Sequence, residues 1–263
     1  MPAPDSSFDP THVLVLAADD ARSDAEATAA AVDAVLDHAD TVELHLDHRA
    51  LADDHPRVAD ALASTLEPVD GDDGHRRGRA DAARDALGAL LAISSFHRFV
   101  SLSRVAAFSD DRRVLHYVPD HGRLELDATA AADDTALVND LDGAVTGHVA
   151  GLLPRRTLAD WYEDGTRYEL EPPSLCVDGD ACFDLGALDG VAFDASNREI
   201  RLSWYDDTGV VATLLGALGP TRPERFRFDP SNRYEDVAGA FRDVADALDL
   251  DVETNVSEDG DDG

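Results

Sequence analysis

The first patterned stretch is a continuous apolar run, His12 to Ala18 (HVLVLAA), which predicts a strand buried on both faces. Ser23 and Glu26 then stand at capping-box spacing. Behind them Ala25, Thr28, Ala29, Val32, Val35, Leu36 and Ala39 recur at the helical period. Val42, Leu44 and Leu46 alternate with polar residues, the period of a second strand. Pro56 suits the first position of another helix, where its missing N–H costs nothing. Val58, Ala61, Leu62 and Leu66 give that helix its apolar face, and Pro68 stops it. This βαβα order predicts two parallel strands with a right-handed crossover.

Val69 to Gly78 (VDGDDGHRRG) is polar and rich in Gly, Asp and Arg, so it reads as a linker. Next, Ala83, Leu87, Leu90, Leu91 and Ser94 share a helical face. Phe99–Phe108, Arg112–Val118 and Arg123–Ala128 read as a three-strand meander, parted by the turn signals SDDR and PDHG. Leu137, Val138, Leu141, Val145, Val149 and Leu152 restore helical spacing, with Gly143, Gly147 and Gly151 four apart on the same predicted helix. Close packing against a neighbour accounts for such a ridge, and Asp140, Asp142 and His148 argue against a membrane span.

From Trp161 onward strands dominate: 167–170, 175–177, 181–185, 190–193, 199–204, 210–215 and 226–228. Asn232 and Glu235 form a capping pair for a final helix. Val237, Phe241, Val244 and Leu248 line one face of it, with Glu235, Asp236, Arg242, Asp243 and Asp246 opposite. The expected fold is α+β: an N-terminal βαβα unit, then an antiparallel β-rich part closed by a C-terminal amphipathic helix. The expected layout is a disordered tail over 1–10, a small α/β domain over 11–68 and a linker over 69–78. A helix, the meander and a second helix follow over 79–155, then a β domain with its helix over 156–252. A disordered acidic tail spans 253–263.

In element order the segments TRYELEPPSLCVDGDACFDLGALDGVAFD, NREIRLSWYDD and RFRFDPSNRYEDVAGAFRDVADAL resemble the pleckstrin-homology-like domains of prokaryotes, over about the last 90 residues. The resemblance implies short antiparallel strands closed by one helix, and no catalytic motif. It does not imply phosphoinositide recognition, for which the chain lacks Lys-rich loops.

Charge changes the picture of the solvent. The 263 residues hold 55 Asp plus Glu against 22 basic residues, all of them Arg, for a formal net charge of -33. In dilute buffer such charge works against the compact state. In molar salt the Debye length shrinks to about 3 Å and the repulsion is screened. The composition resembles that of cytoplasmic proteins of extremely halophilic archaea, and so implies a cytoplasmic location in concentrated salt. Acidic clusters therefore read first as solvated surface. Without a dominant basic stripe nucleic acid is not an expected partner. No apolar run reaches the length of a membrane span. The start has neither a charged n-region nor an apolar h-region, so no signal peptide is expected.

Several chemistries are excluded outright. Without lysine there is no GxxxxGK[ST] phosphate loop, no pyridoxal Schiff base and no catalytic lysine. HExxH, GxSxG and CxxC are absent. The loop after the first strand, AADDARSD, has no glycine to admit a dinucleotide pyrophosphate. No cofactor is expected. The primary expectation is a non-enzymatic module whose partner is another protein. The alternative is a metal-assisted enzyme in which Asp19 and Asp20, at the carboxyl end of the first strand, hold Mg²⁺ through hard oxygen ligands. The same pair also reads as solvated, helix-capping residues.

His38, His45, His48 and His55 lie among Asp47, Asp53 and Asp54, a donor set suited to Zn²⁺ or Mn²⁺. His45 and His48, however, point to opposite faces of the predicted strand, and exposed histidines are the other reading. A loop of Asp178, Gly179 and Asp180 places Cys176 across a hairpin from Cys182. Free thiols packed as small hydrophobes are expected, with a redox pair as the alternative. The basic clusters His75, Arg76, Arg77, Arg79 and Arg155, Arg156 pair with nearby Asp, or meet an acidic partner or a phosphate.

Overall fold

The computed structural model describes residues 8–16, 21–93, 100–119, 122–148, 150–205, 221–229 and 233–255. It divides the chain into two compact units, one running to Arg155 and the other starting at Arg156. The expected strand 210–215, Asn232 and the acidic stretch 256–263 lie outside the described residues.

The first unit begins β1 (His12–Leu16), α1 (Ala21–Leu36), β2 (Thr41–Leu46), α2 (His48–Asp54) and α3 (Pro56–Thr65). It continues β3 (Glu67–Val69), β4 (Asp72–Arg79), α4 (Ala80–Leu91), β5 (Leu102–Ser109), β6 (Arg112–Val118) and β7 (Arg123–Leu126). It ends with α5 (Asp134–Val145) and β8 (Ala150–Pro154). The strands form one eight-stranded sheet, ordered β3-β4-β2-β5-β6-β7-β1-β8, with every neighbouring pair antiparallel. β1 and β2 thus run in the same direction, as their order predicts, yet β5, β6 and β7 stand between them. The meander supplies antiparallel partners through short loops, whose closure costs little entropy.

Helices cover one face of this sheet. Leu14, Val42, Leu44, Val105, Leu115 and Leu124 share a buried cluster with Val35 of α1, Leu62 of α3, Leu87 of α4 and Leu141 of α5. α1 touches α4 and α5, and α4 touches α3. Each such side chain taken fully out of water contributes about 1.5–3 kcal/mol.

Two expectations fail here for local reasons. The stretch read as a linker over 69–78 is the β3–β4 hairpin. Asp70 (φ 53°) and Gly71 (φ 77°) take the left-handed conformations of a two-residue turn, with Val69 paired to Asp72. β4 then pairs with β2 inside the sheet, so 11–68 and 79–155 share one core. The polarity of this strand hid it, because its side chains are mostly charged. The glycine ridge is not on one helix either. α5 ends at Val145, Gly147 (φ 85°) reverses the chain, and Gly151 lies in β8.

The second unit has β9 (Ala159–Glu163), β10 (Thr166–Glu171), β11 (Ser174–Val177) and β12 (Ala181–Asp184) in an antiparallel sheet. A second sheet holds β13 (Leu188–Asp194), β14 (Glu199–Trp204) and β15 (Arg225–Arg227). α6 (Tyr234–Leu248) follows, and β16 (Asp251–Asn255) returns parallel to β13. α6 buries Val237, Phe241, Val244 and Leu248, the residues its spacing nominated. Phe241 lies 6.0 Å from Trp161 and 6.1 Å from Phe226, ring centre to ring centre. β9 and β16 were not legible in the pattern. The protein is thus a mixed α+β chain whose strand pairs are antiparallel apart from β13–β16. Among the described residues no helix is long and apolar enough to cross a membrane.

Candidate functional site

The alternation of β2 sends Val42, Leu44 and Leu46 into the helix-covered core, so Glu43 and His45 project from the opposite face. Antiparallel pairing sets β4 beside them, with His75 opposite His45 and Arg77 opposite Glu43. On the other flank Arg104 of β5 stands opposite His45. The His45 and His75 rings stack with centroids 4.0 Å apart. His75 Nε2 is 3.4 Å from Glu43 Oε2, and Arg77 Nη1 is 3.4 Å from Glu43 Oε1. Arg104 Nη2 meets His45 Nε2, and because guanidinium only donates, that nitrogen is an unprotonated acceptor. Burial, then the charges of Arg104 and His75, pull the His45 pKa down to about 4, against Glu43 and Asp72, which raise it.

One donor atom from each of Glu43, His45 and His75 lies within 4.8 Å of the other two. Among the described residues no other three His, Cys, Asp or Glu side chains gather in this way. Imidazole and carboxylate donors together suit borderline divalent ions. Farther across the same face, Glu125 is 2.6 Å from Arg123 and 3.6 Å from Arg155. Burial raises its pKa, but His116, Arg123 and Arg155 offset that and hold it below the usual carboxylate value. Glu125 is thus the centre of an ion-pair group.

The histidine cluster expected from sequence does not assemble. His38 Nε2 binds Asp140 at 2.9 Å. Asp47 caps α2 by accepting from the N–H groups of Arg49 and Ala50. His48 opens that helix, His55 links it to α3, and Asp53 and Asp54 are exposed. Only His45 enters the observed group. Asp19 and Asp20 lie outside the described residues. Glu43 was open to detection, two residues from His45 on one strand. His75 was not, because it lay in the supposed linker.

In the second unit β16 joins the sheet edge with Asp251, Val252, Glu253 and Thr254 all exposed, Val252 at 44%. A Cβ on Gly190 of β13 would lie 3.0 Å from the Asp251 carbonyl oxygen, so glycine admits this close strand. Nearby, Glu199 is 5% exposed and is held by Arg201, by Arg227 at 3.0 Å and by Arg225 at 3.3 Å. Burial raises its pKa and the arginines bring it below the usual value. Cys176 and Cys182 are directly opposed, as the hairpin reading required, but they form a disulfide rather than the free thiols expected. Comparison with protein-family models, with curated proteins and with solved structures finds no match to this chain.

Proposed function

We propose that this chain is a non-enzymatic protein-interaction module of a salt-rich cytoplasm, and that its second unit takes up an extended segment of a partner protein at the β13 edge. The observation that carries this reading is β16. It occupies that edge with every described side chain exposed, so main-chain pairing is its principal hold. An edge that accepts a strand on those terms suits recognition by strand addition. Main-chain hydrogen bonds also survive in molar salt, where long-range charge steering is screened. The order of four strands, three strands and helix supports a pleckstrin-homology-like reading of this unit, with β16 as an addition. The alternative, a metal-assisted enzyme built on Asp19 and Asp20, rests on residues outside the described ones.

The test is affinity capture by the full chain from a salt-rich host lysate, with crosslinks mapped by mass spectrometry. Prolines at both Val252 and Glu253 remove a ladder N–H whichever of the two faces β13. That variant is expected to retain the partner more strongly, with crosslinks on β13. Retention indifferent to the prolines, or crosslinks confined to the first unit, rejects the proposal.

A further inference from the structure

We propose that Glu43, His45 and His75 form a binding site for one divalent transition-metal ion of the zinc class. This site lies in the first unit and stands independently of strand uptake in the second. Two strands build it. Glu43 and His45 share a face of β2, and the register of β4 sets His75 against His45. Ligand-to-metal bonds of about 2.0–2.2 Å place neighbouring donors of a tetrahedral ion about 3.3–3.5 Å apart. His75 Nε2 and Glu43 Oε2 already stand at 3.4 Å, and the three donors lie within 4.8 Å of one another. Side-chain shifts of about 1–1.5 Å bring the remaining donors to that spacing.

The donor types select the ion. Two imidazoles and one carboxylate match zinc and its first-row neighbours better than Mg²⁺ or Ca²⁺, which take oxygen ligands. Three protein ligands leave a coordination position for water or an added ligand. Arg77 fixes the second oxygen of Glu43, the kind of outer contact that orients a ligating carboxylate. Arg104 has the opposite role. Its guanidinium sits on His45 Nε2, one of the two ring nitrogens that His45 can offer, and its positive charge there opposes an incoming cation. Removing Arg104 is therefore expected to strengthen metal binding.

The test uses the full chain, stripped with chelator, in molar KCl. Zn²⁺ is titrated against a chromophoric competitor, and circular dichroism verifies the fold of each variant. One ion per chain is expected. Glu43→Gln, His45→Asn and His75→Asn should each weaken binding at least tenfold, whereas His38→Asn and His55→Asn leave it unchanged. Arg104→Gln should tighten it severalfold. Ring ¹⁵N shifts of His45 and His75 on adding Zn²⁺ to the unaltered chain give the same answer if a variant fails to fold. No stoichiometric binding, binding indifferent to His75→Asn, or unmoved His45 and His75 signals would overturn the assignment.

Discussion

Replacing Phe241 by alanine tests how the second unit holds together. Phe241 is fully buried on α6, stacked on Phe226 and edge-on to Trp161. Truncation loses the transfer free energy of the ring and leaves a cavity that rigid aromatic neighbours fill poorly. Such changes cost about 3–5 kcal/mol. Phe241→Leu keeps most of the volume and should cost about 1–1.5 kcal/mol. Asp243 is exposed on the opposite face of α6, so Asp243→Ala should stay within about 0.5 kcal/mol. The chain has two tryptophans, Trp161 and Trp204, both in the second unit, so their fluorescence reports its unfolding. With a urea m-value of about 2 kcal/mol/M, the midpoint for Phe241→Ala should fall by about 2 M at fixed molar KCl. A midpoint within the shift of Asp243→Ala would mean that α6 is not docked, and the account of this core would be wrong.

Three further outcomes follow from the structure. Gly78→Ala places a Cβ 2.7 Å from both Leu66 Cδ2 and the Thr65 carbonyl oxygen, and should cost about 1–3 kcal/mol in thermal unfolding; an unchanged melting temperature would return this segment to the status of a linker. The melting temperature should climb steeply from about 0.01 M to 1 M KCl as the Debye length shrinks from about 30 Å to 3 Å, and a flat profile would show that the net charge of -33 does not govern stability. His45, held at about 4 in the fold against 6.5 when free, binds a proton more readily in the unfolded chain. Its contribution is therefore full above pH 6.5 and is lost as pH falls toward 4. His45→Gln should flatten the loss of stability across that window, and an NMR titration of the His45 ring near pH 6.5 would contradict it.

The net charge and the composition class were legible without coordinates, because residue usage does not depend on the fold. So were elements whose apolar period is strong. β1, α1, β2, α3, the β5–β6–β7 meander and the buried stripe of α6 all carry their own evidence, since local periodicity needs no partner. The turn at Asp70-Gly71 was also written in the chain, but its dipeptide was outweighed by the charge of the strand beside it. What no local pattern states is which strand lies beside which. Polar β4 earns its place only by pairing with β2, and β16 joins β13 through main-chain bonds that leave no side-chain signature. The cluster of Glu43, His45 and His75 depends on that pairing. Two of its residues are neighbours in sequence, but the third lies thirty positions beyond His45, and sheet register alone brings its ring within 4.0 Å.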